Sequence, residues 1–242
     1  MALILKEVTH RYNENTVFEG LDLTVEEGCL CCIVGPSGCG KSTLLRIIAG
    51  LYEPLAGQVL LDDRPPSLEK GEVGFVFQED ALFPWYTVEE NIKFGLKARN
   101  IEKSRWDQIV QHNLQKVGLA DYREYYPKQL SGGMKQRIAI ARVLAYNPKL
   151  LLMDEPFASL DSLNRNMLQV ELIDLWAREK KTIVFVTHNI DEAVFLAERL
   201  IIMGSKPGRI KRMLDVNLPR PRSRTDAEFC RNRRNILEII EA

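Results

Sequence analysis

The run from Gly35 through Pro36, Ser37, Gly38, Cys39, Gly40, Lys41, Ser42 and Thr43 has the chemistry of phosphate binding. Its glycines let backbone N–H groups turn inward around an anion. Lys41 brings a point charge for the β- and γ-phosphates of a nucleotide, and Ser42 brings a hydroxyl for Mg2+. An apolar run precedes the segment and a helical pattern follows it, the setting that a phosphate-binding loop requires; the helix N-terminus adds the positive end of its dipole. A second cluster, Asp154 and Glu155, closes the apolar run Leu150–Met153. Asp154 is suited to hold the hydration shell of Mg2+, and Glu155 to orient or deprotonate an attacking water. Many buried strands end in an acid, but beside a phosphate-binding loop the pair points to nucleotide hydrolysis.

These groups need rigid supports, and the hydrophobic pattern supplies them. Apolar residues alternate with polar ones at Leu3, Leu5, Val8, Leu21, Leu23 and Val25, which predicts short antiparallel strands with turns at 13–15 and 26–28. A buried strand over Leu30–Val34, the glycine-rich loop and a helix over Ser42–Ala49 form one strand–loop–helix unit. Further strands are predicted over 57–62 and 74–78. From Val88 to Tyr146 apolar residues recur at helical spacing, as at Ile109, Leu114 and Val117, then at Ile138, Ala141, Leu144 and Ala145. Continuous apolar strands return at Leu150–Met153 and Ile183–Val186, with a helix over Leu163–Lys180 between them. Such runs suit a parallel sheet buried on both faces. After Ile210 only a short helical tail, Asp226–Ala242, is predicted. The expected organisation is one domain over 1–242. Residues 1–87 and 147–242 form its α/β core, and 88–146 an inserted helical subdomain.

Composition sets outer bounds. The 242 residues suffice for one large α/β domain, and 45% apolar content suffices for its core. Lys+Arg and Asp+Glu balance at 33 each, so no whole-molecule attraction to nucleic acid is expected. Basic residues outnumber acidic ones between Lys206 and Arg234, which reads as a solvated basic face. The N-terminal apolar run is too short for a secretory signal, and no run approaches the ~18 apolar residues of a membrane helix. The expectation is a cytosolic chain that meets a membrane only through a partner. Cys29, Cys31, Cys32, Cys39 and Cys230 are an odd set without a signal peptide, which argues against a disulfide framework. The first three read as buried core thiols, since they lack a second ligand pair at zinc spacing. Cys39 lies among N–H donors beside Lys41, which predicts an easily ionised thiol that alkylating reagents modify first.

A third segment, Leu130-Ser131-Gly132-Gly133-Met134-Lys135-Gln136-Arg137, starts a predicted helix; its Ser131 stands 90 positions after Lys41. Ser131 and the N–H groups of Gly132 and Gly133 make a second anion site at a helix N-terminus. With these three segments in this order, the sequence resembles the ABC-type ATPases from Leu3 to about Gly208. The resemblance implies an α/β P-loop NTPase fold: a RecA-like core with an antiparallel β subdomain, plus the inserted helical subdomain. It implies ATP as the nucleotide and Mg2+ as the metal, with Ser42, Gln78 and Asp154 toward the metal. Gln78 looks like the Q-loop glutamine, which senses Mg2+ and the γ-phosphate. Ser159-Leu160-Asp161 looks like the D-loop, which crosses the dimer interface in that family. His188 looks like the switch histidine, beside the γ-phosphate and Glu155. Tyr12, 29 positions before Lys41, resembles the aromatic that stacks on adenine. The implied catalytic set is Glu155, His188 and Gln78. The implied nucleotide set is Tyr12, Gly35 to Thr43 and, from the opposite subunit, Ser131, Gly132, Gly133 and Asp161. Asn189 stands where many members carry Asp.

A narrower resemblance joins the run from Gln78 to Trp85, with Thr87 and Val88 behind it, to residues 187–193 and 206–210. Together they look like the nitrate, sulfonate and taurine importer subfamily. The implied partners are integral-membrane permease subunits, a second ATPase subunit that is identical or different and, indirectly, an extracytoplasmic solute-binding protein. Phe83, Pro84 and Trp85 would wall a groove for a permease helix on the cytoplasmic face of the membrane. Rival readings are an exporter or lipid-mobilising ATPase, a non-transport ABC ATPase and a P-loop kinase. The interval from Gln78 to Ser131 is too short for the coiled coil of chromosome-type members, a single cassette disfavours the ribosome type, and the Ser131 segment disfavours a kinase.

Overall fold

The protein is represented by a computed structural model describing residues 3–79, 81–204 and 207–241. In chain order the elements begin β1 (Leu3–Tyr12), β2 (Asn15–Val25), β3 (Leu30–Val34), α1 (Lys41–Ile48), β4 (Ala56–Leu61) and β5 (Val73–Val76). Next come α2 (Val88–Ala98), α3 (Trp106–Lys116), α4 (Gly132–Leu144), β6 (Leu150–Asp154), α5 (Ser162–Glu179) and β7 (Thr182–Thr187). The chain continues through α6 (Ile190–Leu196), β8 (Arg199–Met203), β9 (Ile210–Asp215) and α7 (Ala227–Glu241). It divides into two compact units, Met1–Pro66 with Lys180–Ala242, and Ser67–Glu179.

The first unit carries two sets of strands. β3 and β7 are buried at every position, as their unbroken apolar runs require. They pair in parallel, Leu30 opposite Ile183 and Val34 opposite Thr187. β8 lies parallel to β3 on its other side, and β9 runs antiparallel to β8. Cys31 and Cys32 are buried members of β3 and pack as small hydrophobes, while Cys29 just before it is partly exposed. β2, β1 and β4 form a separate antiparallel sheet in that order. Its hairpin turns at Asn13, a residue type that tolerates the observed φ of 54°.

The second unit pairs β5 with β6 in parallel, Val73 opposite Leu150 and Val76 opposite Met153. A β-carbon on Gly74 would meet Val143 Cγ1 at 2.4 Å, so only glycine lets α4 lie this close to β5. Val88, Ile92 and Leu96 of α2 meet Val110 and Leu114 of α3 and Ile138 and Ala141 of α4 in one apolar core. Truncating Ile92 or Leu96, both fully buried, to alanine would cost about 2–5 kcal/mol. α2 starts at a reciprocal cap: the Thr87 hydroxyl accepts from Glu90 N–H, and the Glu90 carboxylate accepts from Thr87 N–H.

Three sequence expectations need correction. The chain after Ile210 is not only a helical tail, because β9 precedes α7. β9 is an Ile-Lys-Arg-Met-Leu-Asp strand with no buried residue, so it carries no apolar run to announce it; pairing with β8 makes it a strand. The basic stretch is not simply a solvated face, because Arg220, Arg222 and Arg224 are partly buried. The strand expected over 74–78 ends at Val76, so Gln78 follows the strand instead of ending it.

Candidate nucleotide site

The phosphate-binding loop hangs from the end of β3 and opens α1, both in the first unit. The Lys41 ammonium is buried in the loop, where it donates to Gly35 O at 2.8 Å and Pro36 O at 3.1 Å. Those carbonyls hold the charge at the mouth of the helix dipole. Gly40 has φ 99°, and a β-carbon there would meet Phe18 Cζ at 2.6 Å, so both backbone and space demand glycine. At the end of β1, Tyr12 is 44% exposed, and its hydroxyl lies 3.4 Å from Thr43 Oγ1. Its ring meets His10 and Tyr52 edge-on, so an aromatic platform borders the loop. Because Val34 and Thr187 are register partners, His188 leaves β7 at the end where the loop leaves β3. The structure therefore brings Tyr12, the loop and His188 to one region of the first unit.

Cys39 departs from expectation. It is 1% exposed, and burial raises its thiol above the ordinary cysteine value despite the opposing charge of Lys41, whose Nζ lies 4.0 Å away. Removal from water disfavours the thiolate more than the nearby cation favours it. Cys230, on α7, is the exposed cysteine. Burial also lifts Cys29, to about 11, and Cys31 and Cys32 further still.

Gln78, Asp154, Glu155, Ser131, Gly132, Gly133 and Asp161 belong to the second unit. Gln78 and Asp154 follow β5 and close β6, two parallel neighbours, so they leave at the same end of the pair. Asp154 is almost fully buried. Glu155 takes φ 44°, unusual for a side chain of its size, and its carbonyl accepts from Ala158 N–H at 3.1 Å, which turns the chain sharply out of the strand. Ser131 is the N-cap of α4, its hydroxyl accepting from Met134 N–H at 3.3 Å. Gly132 and Gly133 are the first two residues of that helix, where N–H groups have no acceptor within the helix.

Sequence reading missed Asn164. Asp161 caps α5 through Oδ1, which accepts from Leu163 N–H and Asn164 N–H, while its Oδ2 accepts from Asn164 Nδ2 at 2.5 Å. These bonds, Asn164 first, hold Asp161 below the usual carboxylate range. A β-carbon on Gly133 would lie 3.5 Å from Asn164 Oδ1, so Asn164 stands beside the start of α4. Asn91 was also missed. This fully buried amide accepts from Phe83 N–H at 2.8 Å and donates to the carbonyls of Phe83, Tyr86 and Thr87. A buried asparagine inside an apolar helical pattern was the available signal.

Residues 18–158 match the family model described as ABC transporter. An uncharacterised ABC transporter ATP-binding protein of Methanocaldococcus jannaschii is 48% identical, covering 95% of this chain and 87% of that protein. The aliphatic sulfonates import ATP-binding protein of Bacillus cereus is 44% identical, covering 100% and 96%. A solved dimeric ATP-binding cassette in a post-hydrolysis state, bound to ADP and Pi, is 32% identical with a TM-score of 0.77, covering 90% of this chain and all of that one. The loop that holds Lys41, the acid pair at the end of β6 and these likenesses have one meaning: the chain belongs to the ABC transporter family, as an ATP-binding subunit that hydrolyses ATP.

Proposed function

We propose that this chain energises an importer of a small anion or an organic sulfur or nitrogen solute, of the nitrate, sulfonate or taurine kind, from the cytoplasmic face of a membrane. One observation carries the docking part of the reading. Phe83, Trp85, Tyr86 and Phe94 form a contiguous aromatic cluster, and Trp85 is 67% exposed. Asn91 fixes the loop that presents it, and the Arg142 guanidinium lies 5.9 Å from the Phe83 ring centre. An exposed apolar patch on a rigid support suits a partner helix. Among the described residues no helix is long and apolar enough to cross a membrane, so the partner would supply the membrane-spanning part. The sulfonate-import relative supports the solute class.

At the site, ATP would lie with its phosphates on the N–H groups of residues 35–43 and its adenine on Tyr12. Lys41 would neutralise the β- and γ-phosphates, and His188 would hydrogen-bond the γ-phosphate. Ser42 and Asp154 are hard oxygen donors. Each would suit Mg2+, which needs only one or two protein ligands beside phosphates and water. That ion would neutralise charge on the phosphate oxygens. Gln78 would report its presence. Glu155, held by its strained turn, would orient or deprotonate the attacking water. Ser131, Gly132, Gly133 and Asp161 would serve the ATP of a second subunit, with residues 88–146 as the signature-bearing helical subdomain. The core, 1–87 with 147–242, would carry the rest.

Trp85→Glu tests the docking. The isolated chain should hydrolyse ATP within about twofold of wild type, while the assembled transporter loses solute-stimulated hydrolysis and uptake. Loss of folding in the isolated chain would show that Trp85 is a packing residue. Uptake measured across nitrate, taurine and alkanesulfonates tests the solute class.

A further inference from the structure

The basic C-terminal stretch has a structural task that composition did not disclose. α6 starts two residues after His188, with Asn189 as its N-cap. It has seven residues, too few to persist alone, and its last carbonyls need donors from elsewhere. The tail provides them. The Arg222 guanidinium donates through NH1 to Val194 O at 2.7 Å, Phe195 O at 3.2 Å and Ala197 O at 2.7 Å. Its NH2 and Nε groups donate to Val216 O and Leu218 O, which ties the helix end to the strand that leads into the tail. Arg220 donates to Phe195 O at 3.3 Å and Leu196 O at 2.6 Å. The Arg224 guanidinium carbon stands 3.8 Å from the centre of the Phe195 ring, a cation–π contact. At the other end of the helix, Arg233 of α7 pairs with Asp191 in the first turn, at 3.3 Å.

The helix is tied to the histidine just as closely. Thr187 Oγ1 donates to the buried Glu192 carboxylate at 2.5 Å, and Asn189 N–H donates to Thr187 Oγ1 at 2.9 Å. Glu192 N–H donates to Asn189 Oδ1. His188 thus stands between two residues fastened to the first turn of α6, and a tilt or fraying of α6 moves the imidazole. Burial, with Arg220 beside it, lowers Arg222 to about 10, so it stays charged at neutral pH.

We propose that residues 216–241 act as a strap that positions His188 by clamping both ends of α6, with Arg222 and Arg233 as positioning residues. This rests on the reading of His188 as the residue that contacts the γ-phosphate. The phosphate-binding loop hangs from β3, outside the strap, so nucleotide affinity and turnover should separate. In the full-length chain, Arg222→Lys keeps the charge, but its single nitrogen cannot span five carbonyls. It should lower kcat about tenfold and leave KM for ATP within about twofold. Amide hydrogen exchange should quicken in residues 187–197 and stay unchanged in 35–48. Arg233→Ala changes an exposed pair, leaves folding safe and should act in the same direction at smaller size. His188→Ala serves as the reference. If it turns over at the wild-type rate, the assignment of His188 fails and the strap's task fails with it. If His188→Ala is impaired, wild-type exchange in 187–197 for both arginine variants, or faster exchange with unchanged kcat, overturns the strap alone. Should Arg222→Lys not fold, Arg233→Ala decides by the same two readouts.

Discussion

A cation beside a thiol does not make a thiolate when the thiol is out of water. Lys41 and the loop N–H groups all favour an anion at position 39, yet burial prevails and the Cys39 thiol titrates above its usual range. Cys31 and Cys32 are buried in β3 and Cys29 is partly buried, which leaves Cys230 on α7 as the exposed thiol. One equivalent of an alkylating reagent should therefore label Cys230 first and leave ATP hydrolysis intact, as peptide mass spectrometry and a rate measurement on one sample will show. Early label on Cys39 with loss of activity would restore the loop thiol as the reactive one. Residue identity alone motivates the roles proposed for Lys41, Asp154 and Glu155. It also explains why Asn189 can stand where Asp is common: either side chain accepts the N–H of Glu192 and caps α6.

Elements turn these residues into directions. α4 begins at the cap that Ser131 provides, and Asn164, which donates to Asp161, lies beside Gly133 in its first turn. Ser131→Arg removes a cap worth about 1 kcal/mol and fills the mouth of the helix, so stability should fall by roughly that amount. Hydrolysis should be lost while one chain still binds ATP with near-normal affinity, measurable by titration calorimetry, because in the proposed function the spoiled surface serves another subunit's nucleotide. Collapse of ATP affinity in the single chain would contradict a site shared between subunits. The long, strongly patterned elements were legible beforehand. β3 spans Leu30–Val34 as expected, and the expected helix over 163–180 is α5 with a one-residue shift at each end. α6, β8 and β9 were not legible, since α6 depends on arginines that follow it by about two dozen residues and β9 on its pairing with β8.

For the whole molecule, the family's dimeric neighbour bound to ADP and Pi frames the catalytic cycle to be tested. Glu155→Gln keeps the shape of the side chain and removes the base and its charge. This variant should sediment as a dimer with MgATP and as a monomer with ADP or after EDTA. ATP at about a hundredfold its Kd should stabilise it by about 2.7 kcal/mol. Near-normal turnover in the variant would remove Glu155 from catalysis. By itself, the sequence determined the nucleotide chemistry, the family resemblance and the main strands and helices, because local glycine, charge and hydrophobic spacing encode them. Tertiary structure alone decided the burial of Cys39, the strand identity of β9, the clamp of Asn91 on the aromatic loop and the conversion of a basic tail into a brace on α6. Each depends on burial, or on partners distant in the chain, and no local spacing records either.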